Sequence, residues 1–269
     1  MKKILIPTDF SENALKALRY AINIANRIDA SLIVLHAYQV SQGAGSLLSL
    51  DRIIQDDREH EMYSLIHSVK PLLKKNITLE SHVKHGNAVD LTIRAAEQLD
   101  ADLILMGTTG ADAIKKMFMG STARNIIKNT DKAVLAIPLS YEGDYISNIT
   151  LAYDNKTLRD NTVLNPLLEL IKINDAKLNL IAVVDDGNDN LKIDEELINY
   201  LKLNKIEHRF SKISANSVSE GIIDFVRNND TNLLCLIHHN RSWYENIFHR
   251  SVSENMAYES HIPLLVLRD

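Results

Sequence analysis

One alternation of short apolar runs and amphipathic segments passes through this chain twice, and that duplication restricts its possible folds more than any other feature. Runs rich in Ile, Val and Leu stand at 4–7, 32–35, 77–83, 103–106 and 134–137, separated by segments of helical period. Neighbouring parallel strands need a crossover long enough to hold a helix, so this order predicts an α/β fold whose sheet is covered on both faces. The first crossover is the clearest helix. Ser11 is placed to cap it, and Ala14, Leu18, Ala21, Ala25 and Ile28 follow the spacing of one buried face, with Lys16, Arg19, Asn23 and Asn26 opposite.

The same order returns at 149–152, 178–184, 206–210, 233–237 and 264–267, offset by about 130 to 146 residues. Asp102-Leu103-Ile104-Leu105-Met106 pairs with Asn232-Leu233-Leu234-Cys235-Leu236, and the closing runs pair likewise. The polar, glycine-containing stretch 140–147 reads as the linker. Two domains are expected, at 1–141 and 146–269, each of ordinary domain size.

Composition narrows the classes of function. Of 269 residues 45% are hydrophobic and 24% charged, as in soluble globular proteins. Thirty Lys and Arg against 35 Asp and Glu leave a formal charge of -5. No global field exists to hold a polyanion, which argues against a nucleic-acid binder and makes any anion site local. Cys235 is the single cysteine, so thiolate-cluster metal sites are excluded and a reducing compartment fits. The apolar run after Met1-Lys2-Lys3 is too short for a secretory signal, and other apolar runs are far below a membrane span. A cytoplasmic protein without membrane contact is expected.

One motif carries chemistry. Gly107-Thr108-Thr109-Gly110 follows the fourth run, and nine residues later Gly120-Ser121-Thr122 opens the helical pattern Ala123 to Ile127. Glycine at a strand's carboxyl end lets backbone approach a ligand closely and permits positive φ. At the start of a helix, free amides, the positive helix end and two hydroxyls converge on one anion. The pattern predicts a polyphosphate cradle. Asp9, preceded by Pro7 and Thr8, ends the first run, where a carboxylate suits ribose hydroxyls or a bridging metal, beside the crevice of a doubly wound sheet.

At these residues the chain resembles the universal stress protein family, in its nucleotide-binding subgroup. The match runs from Ile4-Leu5-Ile6-Pro7-Thr8-Asp9-Phe10-Ser11-Glu12 through Val34-Leu35-His36-Ala37 and His85-Gly86-Asn87-Ala88 to the glycine motif and Val134-Leu135-Ala136-Ile137. The resemblance implies two tandem doubly wound domains of five parallel strands, of the adenine nucleotide alpha hydrolase-like kind, packed as an internal pseudo-dimer. It implies ATP, with or without Mg2+, and further homodimerisation as an option. Asp9 would lie near the ribose, the Ala37 backbone at the adenine edge, and Met106, Gly107 and Gly110 along sugar and phosphates, with Gly120, Ser121 and Thr122 holding the phosphates. Pro7 and Thr8 complete the expected set.

The second copy keeps the scaffold and loses the motif. Ile237 stands for Gly107, Asn240 for Gly110 and Arg250 for Gly120, while Ser251 matches Ser121, Asp154 matches Asp9 and Asn216 replaces Gly86. Each replacement puts a side chain where backbone would meet phosphate, so nucleotide is expected in the first domain only. His238, His239 and His249 near Cys235 match no metal motif, and no metal site is expected. His60 and His67 read as solvated, Lys115 and Lys116 as an exposed loop pair, and Trp243 and Tyr244 as a patch or a cover over the lost crevice.

Three classes of function follow: an ATP-binding regulator of the stress response, the role coming from the resemblance; a slow ATPase or phosphotransferase; and an interaction scaffold without nucleotide. The first is preferred. The loop lacks the lysine of G-x4-G-K-[ST], and Asp112 is the only carboxylate in the nine-residue spacer, so at most weak hydrolysis is expected and no catalytic residue is assigned.

Overall fold

The computed structural model describes residues 1–40, 47–109, 119–143, 145–153, 157–184, 194–215, 217–238 and 261–269. The chain forms two compact units, Met1–Lys132 and Ala133–Asp269. The first contains β1 (Lys3–Thr8), α1 (Glu12–Ile28), β2 (Ser31–Tyr38), α2 (Leu47–Val69), β3 (Leu79–His85), α3 (Ala88–Gln98), β4 (Leu103–Gly107) and α4 (Ser121–Asn129). Its strands lie in the order β3-β2-β1-β4, and every pair is parallel.

Local chemistry explains the helices. Ser11 accepts from the Ala14 amide at 3.2 Å and starts α1, and Asp29, at φ 55, ends it in a left-handed turn. Ala14, Ala17, Leu18, Ala21, Ile22 and Ala25 are buried, and the small alanines let α1 lie close on β1 and β4. Asn87 caps α3 through the amides of Val89 and Asp90. Ile4, Leu5 and Ile6 of β1 are fully buried, as they must be when both sheet faces are covered.

The second unit contains β5 (Ala133–Ile137), β6 (Asn148–Ala152), α5 (Asn165–Asn174), β7 (Lys177–Val184), α6 (Glu195–Leu203), β8 (His208–Ser214), α7 (Val218–Asn228), β9 (Leu233–His238) and β10 (Leu264–Arg268). Its order is β5-β10-β9-β6-β7-β8. Here β6, β7, β8 and β9 repeat the parallel arrangement of β1, β2, β3 and β4. β5, the closing strand of the first sequence copy, pairs antiparallel with β10 through Leu265↔Leu135 and its neighbours. The α/β class and the parallel, helix-covered sheets agree with expectation. No helix among the described residues is long and apolar enough to cross a membrane.

At the amino ends of the sheets, one side-chain oxygen gathers the amides that open a neighbouring strand. Asp102 Oδ2 accepts from the amides of Lys2 and Lys3, at 2.6 and 2.9 Å. Asn232 Oδ1 accepts from the Ser147 amide at 3.0 Å, the Asn148 amide at 2.9 Å and the Ser147 hydroxyl. The aligned pair Asp102 and Asn232 therefore does one job in both units. Replacing Asn232 by Ala strands three donors, and unfolding in urea should become easier by about 1–3 kcal/mol. Asn232→Asp keeps an acceptor and should stay near wild type.

Candidate functional site

The chain leaves β1 toward β2 and β3 on one side and returns to β4 on the other, so its direction reverses between β1 and β4. Right-handed crossovers then put the helices flanking this point on opposite faces and open a crevice at the strands' carboxyl ends, where ligands bind in such sheets. Ile4 pairs with Leu103 and Leu5 with Ile104; continued upward, that register sets Thr8 level with Gly107. Thr8 also pairs with His36, next to Ala37. The sheet thus brings Pro7, Thr8, Asp9, Ala37, Met106 and Gly107 to one edge. Met106 and Thr8 are buried, Ala37, Pro7 and Gly107 half-buried, and Asp9 exposed.

The loop from β1 to α1 is held in a set shape. Phe10 has φ 62, a left-handed conformation costly for a non-glycine residue, by about 1–2 kcal/mol. Its amide donates to Thr8 Oγ1 at 3.1 Å, and the Ser11 amide donates to Asp9 Oδ1 at 3.0 Å. Its ring lies on His36, centroids 4.3 Å apart and planes tilted 32°. His36 Nδ1 is 2.8 Å from the Thr8 carbonyl, which can only accept, so Nδ1 carries a proton. Burial pulls the His36 pKa below its ordinary value of 6.5, against a smaller opposing effect of that hydrogen bond. A neutral imidazole protonated on Nδ1 follows.

On the other side of the crevice the connection from β4 to α4 is fastened at both ends. The Gly120 amide donates to the Thr108 carbonyl at 2.6 Å. Asn13, in the first turn of α1, donates from Nδ2 to the Thr109 carbonyl at 3.0 Å and the Thr109 hydroxyl at 3.1 Å. Arg124 reaches back from α4 to the Met119 carbonyl at 3.1 Å. α4 begins on Gly120 with no side-chain cap, as α5 does on Leu164, whereas α1, α3, α6 and α7 are each capped by a side-chain oxygen. Its leading amides, with Ser121 and Thr122 exposed beside them, have the chemistry an anion needs.

Gly107 and Gly120 do not use glycine's freedom of φ. Gly86 is the glycine of positive φ among the described residues, at 144, and Gly120 sits at φ -65 and ψ 161, open to any residue. What matters at Gly107 is the missing Cβ, which would lie 2.7 Å from Asn13 Cγ. Asn13, Phe10 and His36 were not singled out from sequence. His36 left a trace, a polar side chain inside the apolar strand pattern; Asn13 left none, since a first-turn Asn reads as solvated.

In the second unit, side chains take up the corresponding places. Ile237, at the position of Gly107, is 1% exposed, and Tyr153, at that of Thr8, is 3% exposed with its hydroxyl donating to Asp194 at 3.3 Å. Ala182, at the position of His36, is buried. Gly110, Asp112, Lys115, Lys116, Asp154, Asn216, His239, Asn240, Trp243, Tyr244, His249, Arg250 and Ser251 lie outside the described residues. Among the described residues no group of three or more His, Cys, Asp or Glu is placed to hold a metal ion.

The buried, neutral His36 has a consequence for pH. Its pKa is lower folded than unfolded, so between the two the unfolded chain binds more protons and stability rises with pH. That contribution is complete above 6.5 and is lost as pH falls below it toward the folded pKa. The difference in unfolding free energy between wild type and His36→Asn should accordingly shrink as urea titrations move from pH 7.5 to 5. A constant difference would contradict the neutral imidazole.

Comparison with known proteins agrees with this geometry. The profile of the universal stress protein family matches residues 1–138. A universal stress protein of Methanocaldococcus jannaschii is 32% identical over 138 residues, 51% of this chain and 81% of that protein. A universal stress protein A homolog of Coxiella burnetii is 30% identical over 143 residues, 51% of this chain and 95% of its own length. Among solved structures, a universal stress protein from Archaeoglobus fulgidus shares the fold at a TM-score of 0.71 and 18% identity, over 99% of this chain and 96% of that one. With more than half its length matched by the family profile and its sheet edge built as described, the chain belongs to the universal stress protein family.

Proposed function

We propose that this protein is an ATP-binding regulator of the stress response that holds its nucleotide in the first half only. The observation that carries this reading is the start of α4: a nine-residue helix opening on Gly120 without a side-chain cap, its first residue tied to the end of β4. Triphosphate oxygens would accept from the amides and hydroxyls of Ser121 and Thr122, with Gly107 and Gly110 along the chain of phosphates. Asp9 would meet the ribose or a Mg2+ ion. The Ala37 backbone would meet the adenine edge, and Pro7, Thr8 and Met106 would wall the sugar. Bound nucleotide would bias the protein's affinity for a protein partner, the regulatory use of such a site.

Restriction to the first half is supported by the buried Tyr153 and Ile237 in the second. Both copies, 1–141 and 146–269, are read as universal stress protein domains. Their closing strands β5 and β10 pair antiparallel, which supports an internal pseudo-dimer. A cytoplasmic location is read from the single cysteine, Cys235, which is buried as a thiol.

Nucleotide released by denaturing the purified protein tests the reading. One ATP per chain is expected, still ATP after incubation with Mg2+. No nucleotide would favour an interaction scaffold, two per chain would refute the loss of the second site, and steady conversion to ADP would make the protein an ATPase. Gly120→Val should release none and still fold, because φ -65 and ψ 161 suit valine.

A further inference from the structure

Asn13 stands apart from the rest of the α1 surface. It is 3% exposed, both bonds from its Nδ2 go to Thr109, and its Oδ1 is buried without an acceptor's partner among the described residues. The carboxamide lies where a side chain on Gly107 would be, 2.7 Å from the Cβ that glycine lacks. A leucine of nearly the same shape would fill this space without burying an unpaired oxygen but would leave Thr109 without this donor, so the asparagine serves what it holds more than what it packs against. Asn13 is also two residues from Ser11, whose amide is held by Asp9. It therefore connects the acid at the end of β1 to the first residues beyond β4.

We propose that Asn13 is a positioning residue of the nucleotide site, fastening Thr109 to α1 so that Gly107, Thr109 and Asp9 keep a fixed spacing before ligand arrives. The proposal rests on the nucleotide reading above and adds a role for a residue outside the glycine motif. It also assigns Gly107 its reason: that position is glycine to admit the Asn13 carboxamide. Where the second unit has Ile237, a buried side chain occupies the equivalent space.

Asn13→Leu separates positioning from packing, because the two roles predict opposite signs. As a positioning residue, its loss should leave the melting temperature equal or higher while ATP binds about tenfold more weakly or worse, and the Thr109 amide should exchange hydrogen faster. Gly107→Ala forces a 2.7 Å contact and should lower both melting temperature and affinity; adding Asn13→Ala should recover the melting temperature and not the affinity. Wild-type ATP affinity in Asn13→Leu, or full recovery of affinity in the double variant, would overturn the proposal and leave the nucleotide reading intact. If wild-type protein, stripped of nucleotide, fails to take up ATP in calorimetry, the nucleotide reading itself falls and the proposal with it. An Asn13→Leu chain that does not fold would show the residue to be structural, and would equally overturn it.

Discussion

The start of α4 is the constraint around which the first unit is organised. Each helix begins with amides that have no partner in the helix, and most helices here satisfy one with a Ser, Asn or Asp oxygen. Gly120 cannot do this. Its own amide is spent on the Thr108 carbonyl, which fixes where the helix axis starts relative to β4. The amides that follow lie within one turn of the positive helix end, which the Gly120 bond holds near the end of β4. An anion there gains hydrogen bonds and a favourable dipole together, and the protein's net charge of -5 leaves this as a local attraction.

How much of this was legible in sequence depended on whether a feature has a period. The buried strands β1, β4, β9 and β10 are runs of apolar residues and match the expected ranges within one residue, while β2, expected at 32–35, runs on through His36 and Ala37 to Tyr38. The edge-side strands β3 and β8 were expected at 77–83 and 206–210, but begin at Leu79 and His208. Ile77 and Ile206 are buried anchors in the turns before them, and the strands themselves alternate with exposed polar residues, so the apolar signal started early. The glycine motif was visible because its residues are close in sequence. Asn13 and Gly107 form one unit across 94 positions, His36 and Phe10 another across 26, and no local pattern marks such partners.

Divergence of the two copies has a similar logic. Scaffold positions are preserved in chemistry: Asp102 and Asn232 differ in charge and still gather the amides of a strand start. Positions at the carboxyl edge carry apolar or aromatic side chains instead, all buried: Tyr153 stands for Thr8, Ala182 for His36 and Ile237 for Gly107. Burying such side chains gains stability, on the order of 1.5–3 kcal/mol for a fully buried isoleucine. On the proposed reading, a unit that need not admit a ligand at this edge has that gain open to it.

The first unit keeps the opposite arrangement. Phe10 remains in a left-handed conformation that costs about 1–2 kcal/mol, offset by its contact with His36 and the bond from Phe10 to Thr8 Oγ1. His36 is itself buried at the cost of its charge, and returns a hydrogen bond to Thr8. What these features have in common is their product: a β1 terminus whose Asp9 is turned by the kink at Phe10 and held by the Ser11 amide. Asp29, Asp100, Asp175, Lys205 and Asp230 also have positive φ, but Phe10 is the aromatic residue among them and stands at the edge where the chain reverses direction, as expected where that edge is under functional constraint.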